Sequence, residues 1–450
     1  MKPVHIIGGG LAGSEAAWQV ARRGVPAVLH EMRPARLTPA HRTGRLAELV
    51  CSNSLKSESP FTAPWLLKRE LRRLDSLLMR AAAQARVPGG HALTVDRDAF
   101  ADAAARAIAG EPLIEVRREE VASIPGGGIA VIASGPLTSP ALADEIARLT
   151  GAQRLYFYDA ISPIVDAETV DTSVAFWASR YGKSTDGSSD YLNCPFDRER
   201  YERFVDALLE AQAAPAHLEP DATPYFEACL PIEELARRGR DTLRFGPMKP
   251  VGLADPRSGR RPYAVVQLRR EDLRAQSFNL VGFQNHMKFG DQARILRMIP
   301  GLEGAEFLRF GQMHRNTYID APSLLTPELE MRARPGVFFA GQISGVEGYV
   351  EAIATGLMAG MHAARRAIGG APRPLPRPTA LGSLCHYVSA ADPAHYQPAN
   401  ITFDLLPPLD EPTRQRLRRD KAARHAEVCR RAIEAMDEYL GAAPPGAAHV

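Results

Sequence analysis

The N-terminal segment up to Glu31 most constrains the fold, because it places a glycine fingerprint between two apolar stretches. Val4 to Ile7 predict a short buried strand, and GGGLAGSEAAWQVARRG then predicts a turn and a helix before a second strand. In G-x-G-x-x-G the glycines permit a tight turn, a close approach to a pyrophosphate and close helix–strand packing, while the helix N-terminus adds positive potential. The segment therefore predicts a dinucleotide site in a Rossmann-type α/β fold. Its assigned residues are Gly8, Gly9, Gly10, Leu11, Ala12, Gly13 and Glu31.

A glycine-rich turn without a ligand is the alternative, but the flanking strand, the helix and the terminal acid favour a cofactor. Glu31 suits the adenosine ribose of either FAD or NAD. A distant segment, Pro335 to Ala367, has an apolar strand, the pair Gly341-Gln342 and a long helix of small residues. Two-dinucleotide flavoproteins close their FAD site with such a unit, so the segment favours FAD. An ordinary strand-to-helix turn is the other reading of Gly341-Gln342.

The composition limits the class of protein. The 450 residues are enough for two or three domains, and a net charge of +3 names no partner. The cysteines are odd in number, widely spaced and without a C-x-x-C pair, so neither a disulfide framework nor a metal site is expected. No apolar run is long enough for a membrane span, and no secretory signal precedes the first strand, which predicts a soluble cytoplasmic protein. The cysteines are Cys51, Cys194, Cys229, Cys385 and Cys429.

The order of these segments predicts a discontinuous cofactor domain. The fingerprint and the closing unit lie at opposite ends of the chain, and the stretch between them lacks a simple βαβ rhythm. We therefore expect an FAD-binding domain with an inserted α+β substrate domain and a basic C-terminal helix with a flexible tail. The predicted boundaries are 1–165 and 330–400 for the cofactor domain, 166–329 for the inserted domain and 401–450 for the C-terminal part.

Further segments resemble one family. AELVCSNSLKS, YFEACLPIEELARRG, NLVGFQNHMKFGDQ and GQISGVEGYVEAIATGL follow one another as in the folate- and FAD-dependent tRNA (uracil-5-)-methyltransferase family, TrmFO. The resemblance runs through nearly the whole chain and implies a GidA-like flavoprotein fold. It implies transfer of a one-carbon unit from 5,10-methylenetetrahydrofolate to C5 of the tRNA T-loop uridine. Reduced FAD, recharged by NAD(P)H, would supply the reducing equivalents, and the partners would be the tRNA T-arm and folate.

The chemistry of that reaction independently calls for a thiol. C5 of uracil is a poor nucleophile until a thiolate adds to C6, and a second acid/base must then remove the C5 proton. Cys51 is followed by three polar residues and Lys56, while Cys229 lies just before a probable helix start. Both match family cysteines that act in catalysis, and which one attacks stays open. The alternative for each is a small buried hydrophobe.

Three further residues are candidates by the same resemblance. His286 would stack on a pterin or shuttle a proton, with a structural histidine as the alternative. Asn316 belongs to a polar cluster near the closing unit and is assigned to folate or tRNA. Tyr349 would lie near the flavin ring, with a core aromatic as its alternative.

Two other functions fit parts of the sequence. A flavin oxidoreductase, or a tRNA-modifying flavoenzyme of the carboxymethylaminomethyl-uridine type, would share the cofactor segments but would not need Cys51 and Cys229. A flavin-bearing RNA-binding protein without turnover would not need the thiols either. Arginine-rich segments are candidate phosphate contacts or solvated faces. They lie at Arg69–Arg80, Arg237–Arg240 and Arg414–Arg431.

Overall fold

The structure is a computed structural model. It describes residues 1–151, 155–160, 162–182, 189–214, 230–272, 274–311 and 313–441. Cys229 and the predicted C-terminal tail from 442 onward lie outside the described residues.

The strands in chain order are β1 (Val4–Ile7), β2 (Ala27–His30), β3 (Ser54–Ser57), β4 (Arg86–Val87), β5 (Ala92–Val95), β6 (Ile114–Arg117), β7 (Ala130–Ile132), β8 (Leu155–Ala160), β9 (Ile164–Asp166), β10 (Phe176–Ala178), β11 (Tyr191–Phe196), β12 (Ala264–Arg270), β13 (Ser277–Leu280), β14 (Phe307–Arg309), β15 (Met313–Tyr318) and β16 (Val337–Phe339). The helices are α1 (Leu11–Ala21), α2 (Ala63–Arg73), α3 (Leu77–Gln84), α4 (Arg97–Ala109), α5 (Pro140–Thr150), α6 (Arg198–Glu210), α7 (Ile232–Arg237), α8 (Thr242–Phe245), α9 (Phe289–Leu296), α10 (Ala321–Leu324), α11 (Tyr349–Ala367), α12 (Ala380–Ala390), α13 (Glu411–Arg416) and α14 (Lys421–Gly441).

A five-stranded parallel sheet carries the N-terminal fingerprint. Its strand order is β16-β7-β1-β2-β6, so the closing strand near the C-terminus joins the same sheet as β1. Helix α1 packs closely against α11. The closeness is visible at Gly356, where an added Cβ would lie only 2.3 Å from the carbonyl oxygen of Ala12. The small residues of both helices therefore serve packing, and the sheet has the parallel, Rossmann-type arrangement that the fingerprint predicts.

A second, antiparallel sheet of six strands follows in the middle of the chain, in the order β10-β11-β12-β13-β9-β14. Its apolar face and helices α6, α7 and α9 form a hydrophobic cluster that runs from Val165 to Ala305. The cluster around the parallel sheet ends at Ile146 and resumes at Tyr318. An inserted α+β unit is thus observed, while the numbered domain boundaries stay a prediction.

The basic C-terminal helix α14 is not only a solvated surface. Cys429, Ala432 and Met436 are buried in the cluster around the parallel sheet. Its charged side chains lie on the other side, where Arg430 pairs with Glu427 and Glu434. Among the described residues, no helix is both long and apolar enough to cross a membrane.

A buried carboxyl group makes the stability of this packing depend on pH. Glu70 on α2 accepts hydrogen bonds from the first two amides of α12, those of Ala380 and Leu381, each at 2.8 Å. Burial raises the pKa of Glu70 to about 8. Because this pKa lies above that of an unfolded glutamate, the stabilisation is fully present below about pH 4.5 and is lost as the pH rises to about 8.

We therefore expect the free energy of unfolding to fall by a few kcal/mol (about 1.4 per pKa unit) over this window. Urea unfolding at closely spaced pH values measures the fall. Glu70→Gln should flatten it, although the variant is less stable at acidic pH because one acceptor is lost. An equally steep fall in the variant would assign the pH dependence to another group.

Candidate functional site

The glycine fingerprint forms the tight turn between β1 and α1. Gly8 has a φ of +106°, which favours glycine, and a Cβ on Gly13 would lie 1.7 Å from the carbonyl oxygen of Gly8. Gly10 caps α1 without a side chain, and no atom lies within 4 Å of the position of its missing Cβ. The turn is therefore closed on the protein side and open at Gly10, as a pyrophosphate cradle requires.

A cleft with an empty volume of about 1000 Å³ starts at this turn. It joins the fingerprint to the distant closing unit and to the loop after β7. The predicted cofactor residues in its lining are Gly8, Gly10, Leu11, Ala12, Glu31, Gly341, Gln342 and Tyr349. Gly9 lies behind the lining, where its amide donates to Glu31 Oε2 at 3.0 Å, and Gly13 packs in the turn.

Glu31 is held by an arginine that the sequence analysis missed. Arg33 donates from Nη2 to Glu31 Oε2 at 2.8 Å and from Nε to Oε1 at 2.9 Å, and it also pairs with Glu48 at 2.9 Å. Burial would raise the pKa of Glu31, but the hydrogen bonds and charge of Arg33 outweigh it and lower the pKa. Each carboxylate oxygen already accepts two protein hydrogen bonds, so the ribose contact assigned to Glu31 stays a prediction.

The closing unit begins with a strained turn. Gly341 has a φ of +78°, and its amide donates to Thr355 Oγ1 at 2.8 Å. Gln342 donates from Nε2 to both carboxylate oxygens of Glu347, at 3.1 and 2.9 Å. These bonds fix the loop that leads to the N-terminus of α11, where Tyr349 is the first residue.

Tyr349 connects the cleft to Cys51. Its hydroxyl oxygen accepts the amide hydrogens of Cys51 at 2.6 Å and of Ser52 at 3.0 Å. Burial raises the pKa of Tyr349, and the nearby Cys51 thiol contributes in the same direction. The tyrosine therefore stays a neutral phenol that holds the cysteine segment against the cleft.

Three arginines surround the Cys51 segment, and two of them, Arg269 and Arg309, are buried. Arg97 donates to the carbonyl oxygens of Leu49, at 2.6 Å, and Cys51, at 3.2 Å, and pairs with Glu271. Arg309 donates to the carbonyl oxygen of Val50 at 2.7 Å, and Arg269 donates to Ser52 Oγ at 2.8 Å, so the two arginines bind the residues on either side of Cys51. Cations beside a thiol favour the thiolate, which is the reactive form of cysteine.

Lys56 ties the strand after Cys51 to the same helix. Its ammonium group pairs with the fully buried Glu351 on the first turn of α11 at 2.6 Å and also bonds Asn400. The carboxylate of Glu351 accepts the amide of Ile401 at 2.9 Å as well. The cysteine segment and the N-terminus of α11 are thus joined at two points, through Tyr349 and through Lys56.

Comparison with known proteins identifies the family. A family model described as Glucose inhibited division protein A matches residues 3–371. The Methylenetetrahydrofolate--tRNA-(uracil-5-)-methyltransferase TrmFO of Solibacter usitatus (strain Ellin6076) is 74% identical over 438 residues, covering 97% of this chain and 98% of the relative. The protein of the same name from Koribacter versatilis (strain Ellin345) is 61% identical with the same coverage. The chain belongs to the TrmFO family.

Solved structures confirm the fold class of this TrmFO-family chain. Aquifex aeolicus GidA in its form II crystal superposes with a TM-score of 0.70 over 99% of this chain and 74% of that chain, at 17% identity. The form I crystal gives a TM-score of 0.71, with 99% of this chain and 77% of that chain covered, again at 17% identity. Likeness at this level of identity shows the fold alone, a GidA-like flavoprotein fold.

Two predicted residues lie away from the cleft lining of this TrmFO-family chain. His286 is buried in the inserted unit, where its amide donates to Glu233 Oε1 at 2.7 Å, and burial lowers its pKa. Glu233 is also buried, which raises its pKa to about 7. Asn316 is buried on β15, paired with Phe157 of β8. The described contacts join neither His286 nor Asn316 to Cys51, so their folate or tRNA roles stay predictions.

The other described cysteines are enclosed by protein. Cys194, Cys385 and Cys429 are buried, and burial raises the pKa of Cys385 and of Cys429 to about 12. Burial also raises the pKa of Cys194. Cys51 is the partly exposed one among the described cysteines. No group of three or more His, Cys, Asp or Glu side chains within the described ranges is arranged to hold a metal ion.

Sequence reasoning did not find the arginines of this TrmFO-family site. Arg97, Arg269 and Arg309 occur in the segments VDRDAF, VVQLRRED and FLRFG, where charged residues adjoin apolar or strand-forming ones. An arginine on an otherwise apolar strand is the available signal, because burying a guanidinium is costly without partners. The partners themselves lie in distant segments and are not visible in the local sequence.

Proposed function

We propose that this protein is a folate- and FAD-dependent methyltransferase acting on tRNA. It transfers the one-carbon unit of 5,10-methylenetetrahydrofolate to C5 of the T-loop uridine and forms 5-methyluridine. The carrying observation is the contact of the Tyr349 hydroxyl with the amides of Cys51 and Ser52, since it places a partly exposed thiol beside the cofactor cleft. Family membership supports the same reaction, as does the chemistry that C5 of uracil demands.

The cleft residues fit FAD. Gly10 leaves room for a pyrophosphate beside the N-terminus of α1, and the ring end would lie toward Gly341, Gln342 and the N-terminus of α11. When bound and reduced, FAD supplies the hydride that converts a methylene to a methyl group. NAD(P)H would recharge it, and the cytoplasm would be the place of action.

The thiols carry the activation of uracil in this proposal. A thiolate adds to C6, which makes C5 an enolate carbon able to attack the methylene carbon. A second group takes the C5 proton as the folate nitrogen leaves with its electron pair. A hydride then converts the methylene on C5 to a methyl group, and the thiolate is expelled from C6 so that the C5=C6 bond is restored. Cys51 and Cys229 share the nucleophile and proton-transfer roles. Arg97 and its neighbours keep Cys51 in an electropositive setting, which favours the thiolate over the thiol.

The test uses the purified flavin-loaded protein with labelled 5,10-methylenetetrahydrofolate, NAD(P)H and unmodified tRNA. Label in T-loop 5-methyluridine supports the proposal. Flavin oxidation without label in RNA would favour a flavin oxidoreductase, and tRNA binding without turnover would favour a binding protein. Label at another uridine would contradict the T-arm assignment.

The Tyr349 contact makes a separate prediction. Tyr349→Phe keeps the ring and removes the oxygen that accepts two amide hydrogens. We expect methylation to fall roughly 10- to 100-fold, in line with about 1–3 kcal/mol for leaving buried amides unpaired. Flavin content, read from the visible spectrum, should stay unchanged because the lining of the cleft is preserved. Full activity would show that the contact does not position Cys51.

A further inference from the structure

The six-stranded sheet turns a polar face toward the Cys51 segment. Neighbouring residues on a strand point to opposite faces. One face of the sheet belongs to the buried apolar cluster and carries Leu192, Leu268 and Leu280. The opposite face carries the polar residues that alternate with them along the strands, Asn193, Gln267, Arg269 and Asn279. Arg269 donates to Ser52 Oγ at 2.8 Å and to Asn53 Oδ1 at 2.9 Å, which places the polar face against the cysteine segment.

The strand register aligns four residues across this polar face, and a register shift between Phe307 and Arg309 brings Arg309 opposite Ile164. Arg269 of β12 is paired with Asn279 of β13, Asn279 with Ile164 of β9, and Ile164 with Arg309 of β14. The two ends of the row bind the cysteine segment on either side of Cys51. Arg269 contacts Ser52, and Arg309 donates to the carbonyl oxygen of Val50 at 2.7 Å. The middle of the row therefore lies opposite Cys51.

The middle of the row carries shorter side chains than its two ends. Asn279 and Ile164 are short compared with the arginines at the ends, whose strands are three spacings of about 4.8 Å apart. Ile164 is partly exposed, although both of its neighbours in the row, Asn279 and Arg309, are buried. The least covered side chain of the row is thus Ile164, which lies between the two arginines.

Asn279, in the middle of this row, has a side-chain amide nitrogen without a hydrogen-bond partner among the described residues. The residue is 2% exposed. Asn193 on the same face is different, because its Nδ2 donates to three backbone carbonyls and its Oδ1 accepts from Gln267. Buried amides without partners are rare in proteins and call for an explanation, and a ligand that binds at the group is one such explanation.

We propose that Asn279 recognises the imide edge of the uracil ring that reacts beside Cys51, a proposal that rests on the proposed function. A carboxamide presents one donor and one acceptor side by side, which complements an adjacent C=O and N–H. Uracil offers that pair at O4 and N3–H, whereas cytosine has an amino group and an unprotonated N3 there. In the orientation with Nδ2 toward O4 and Oδ1 toward N3–H, the side chain complements uracil and not cytosine.

The flavin and pterin rings carry similar C=O and N–H edges, but the geometry favours uracil. The cofactor cleft is lined by Val50 and Tyr349 and, among the described residues, includes none of the four residues of the row. The row and the cleft therefore approach the Cys51 segment from different directions. A uracil on the row lies next to the thiol, and the cofactor cleft contacts the same segment through Val50 and Tyr349.

The test replaces Asn279 by Asp, which keeps the shape and removes the donor, and by Ser, which removes the amide without adding charge. Each flavin-loaded variant is incubated with folate and tRNA carrying 5-fluorouridine or 5-fluorocytidine at the target position, and the covalent adduct is measured on gels. We expect the rate ratio of uridine over cytidine trapping to fall about 100-fold or more in both variants. Flavin content and thermal midpoint should stay near those of the unmodified protein.

The outcomes separate this inference from the function on which it rests. An unchanged ratio in both variants would overturn the assignment of Asn279. Loss of flavin at an unchanged thermal midpoint would show that Asn279 contacts the flavin ring. A raised KM for the folate alone would show that Asn279 contacts the pterin. Either result overturns the uracil assignment. If the unmodified protein forms no adduct with 5-fluorouridine tRNA, the proposed function fails as well.

Discussion

Replacing Cys51 with alanine is expected to reduce tRNA methylation by roughly 1000-fold or more, the scale of losing a covalent or proton-transfer group. The thiol is the partly exposed one among the described cysteines, and its segment is bonded by three arginines, Arg97, Arg269 and Arg309. The backbone amide of Cys51 still binds Tyr349 in the variant, so the segment keeps its place. Activity is measured as labelled 5-methyluridine under single-turnover conditions.

Cys385→Ala is the matched control. Cys385 is buried on α12, and burial raises its pKa to about 12, so it is a thiol and not a thiolate at neutral pH. Its replacement should cost about 1 kcal/mol of stability through lost packing and leave turnover near that of the unmodified protein. Both variants should keep the flavin spectrum. Equal activities of Cys51→Ala and Cys385→Ala would remove Cys51 from the reaction.

The local patterns of the sequence predicted the cofactor half of the fold well. The strand, turn and helix around Gly8, Gly10 and Gly13 are encoded within one short segment, and steric contact requires glycine at Gly8 and Gly13. The closing unit at Gly341 was recognisable for the same reason. The structure confirms that both segments join one parallel sheet, as the fold class requires.

The surroundings of Cys51 were not predictable in the same way. Tyr349 reaches Cys51 across 298 positions of the chain, and Arg309 reaches Val50 across 259. Such contacts depend on the order and register of strands from distant segments, which no local periodicity encodes. The row that joins Arg269 to Arg309 exists only because β9 pairs with both β13 and β14.

Resemblance and structure thus contribute different parts of the site. The resemblance pointed to Cys51 and Tyr349 individually, and the structure adds the hydrogen bond between them. Glu31 shows a contact that its position in the sequence did not reveal, because Arg33 donates to both of its carboxylate oxygens, while its ribose contact stays a prediction. The role of a residue therefore depends on the side chains that surround it in the structure as well as on its position in the sequence.

Gly10→Ala is expected to separate cofactor binding from folding, and it should weaken FAD binding by roughly 100-fold, or about 2.7 kcal/mol. Gly10 has a φ of −73°, which alanine adopts readily, and no protein atom lies within 4 Å of the added Cβ. The methyl group therefore projects into the space where a pyrophosphate would approach the backbone. Flavin affinity is measured by titration of the apoprotein, and stability of the apoprotein by urea unfolding. The stability should change by no more than about 1 kcal/mol, the usual range for a helix N-cap.

Gly13→Ala is the contrasting variant at the same turn. Its Cβ would lie 1.7 Å from the carbonyl oxygen of Gly8, so the backbone of the turn must move before any ligand is considered. We expect this variant to lose several kcal/mol of stability, as overpacked sites that displace backbone do. If Gly10→Ala also unfolds the apoprotein, the open space at Gly10 serves packing. If the Gly10→Ala variant binds FAD with unchanged affinity, the pyrophosphate does not approach the backbone at Gly10, and the cofactor lies elsewhere in the cleft.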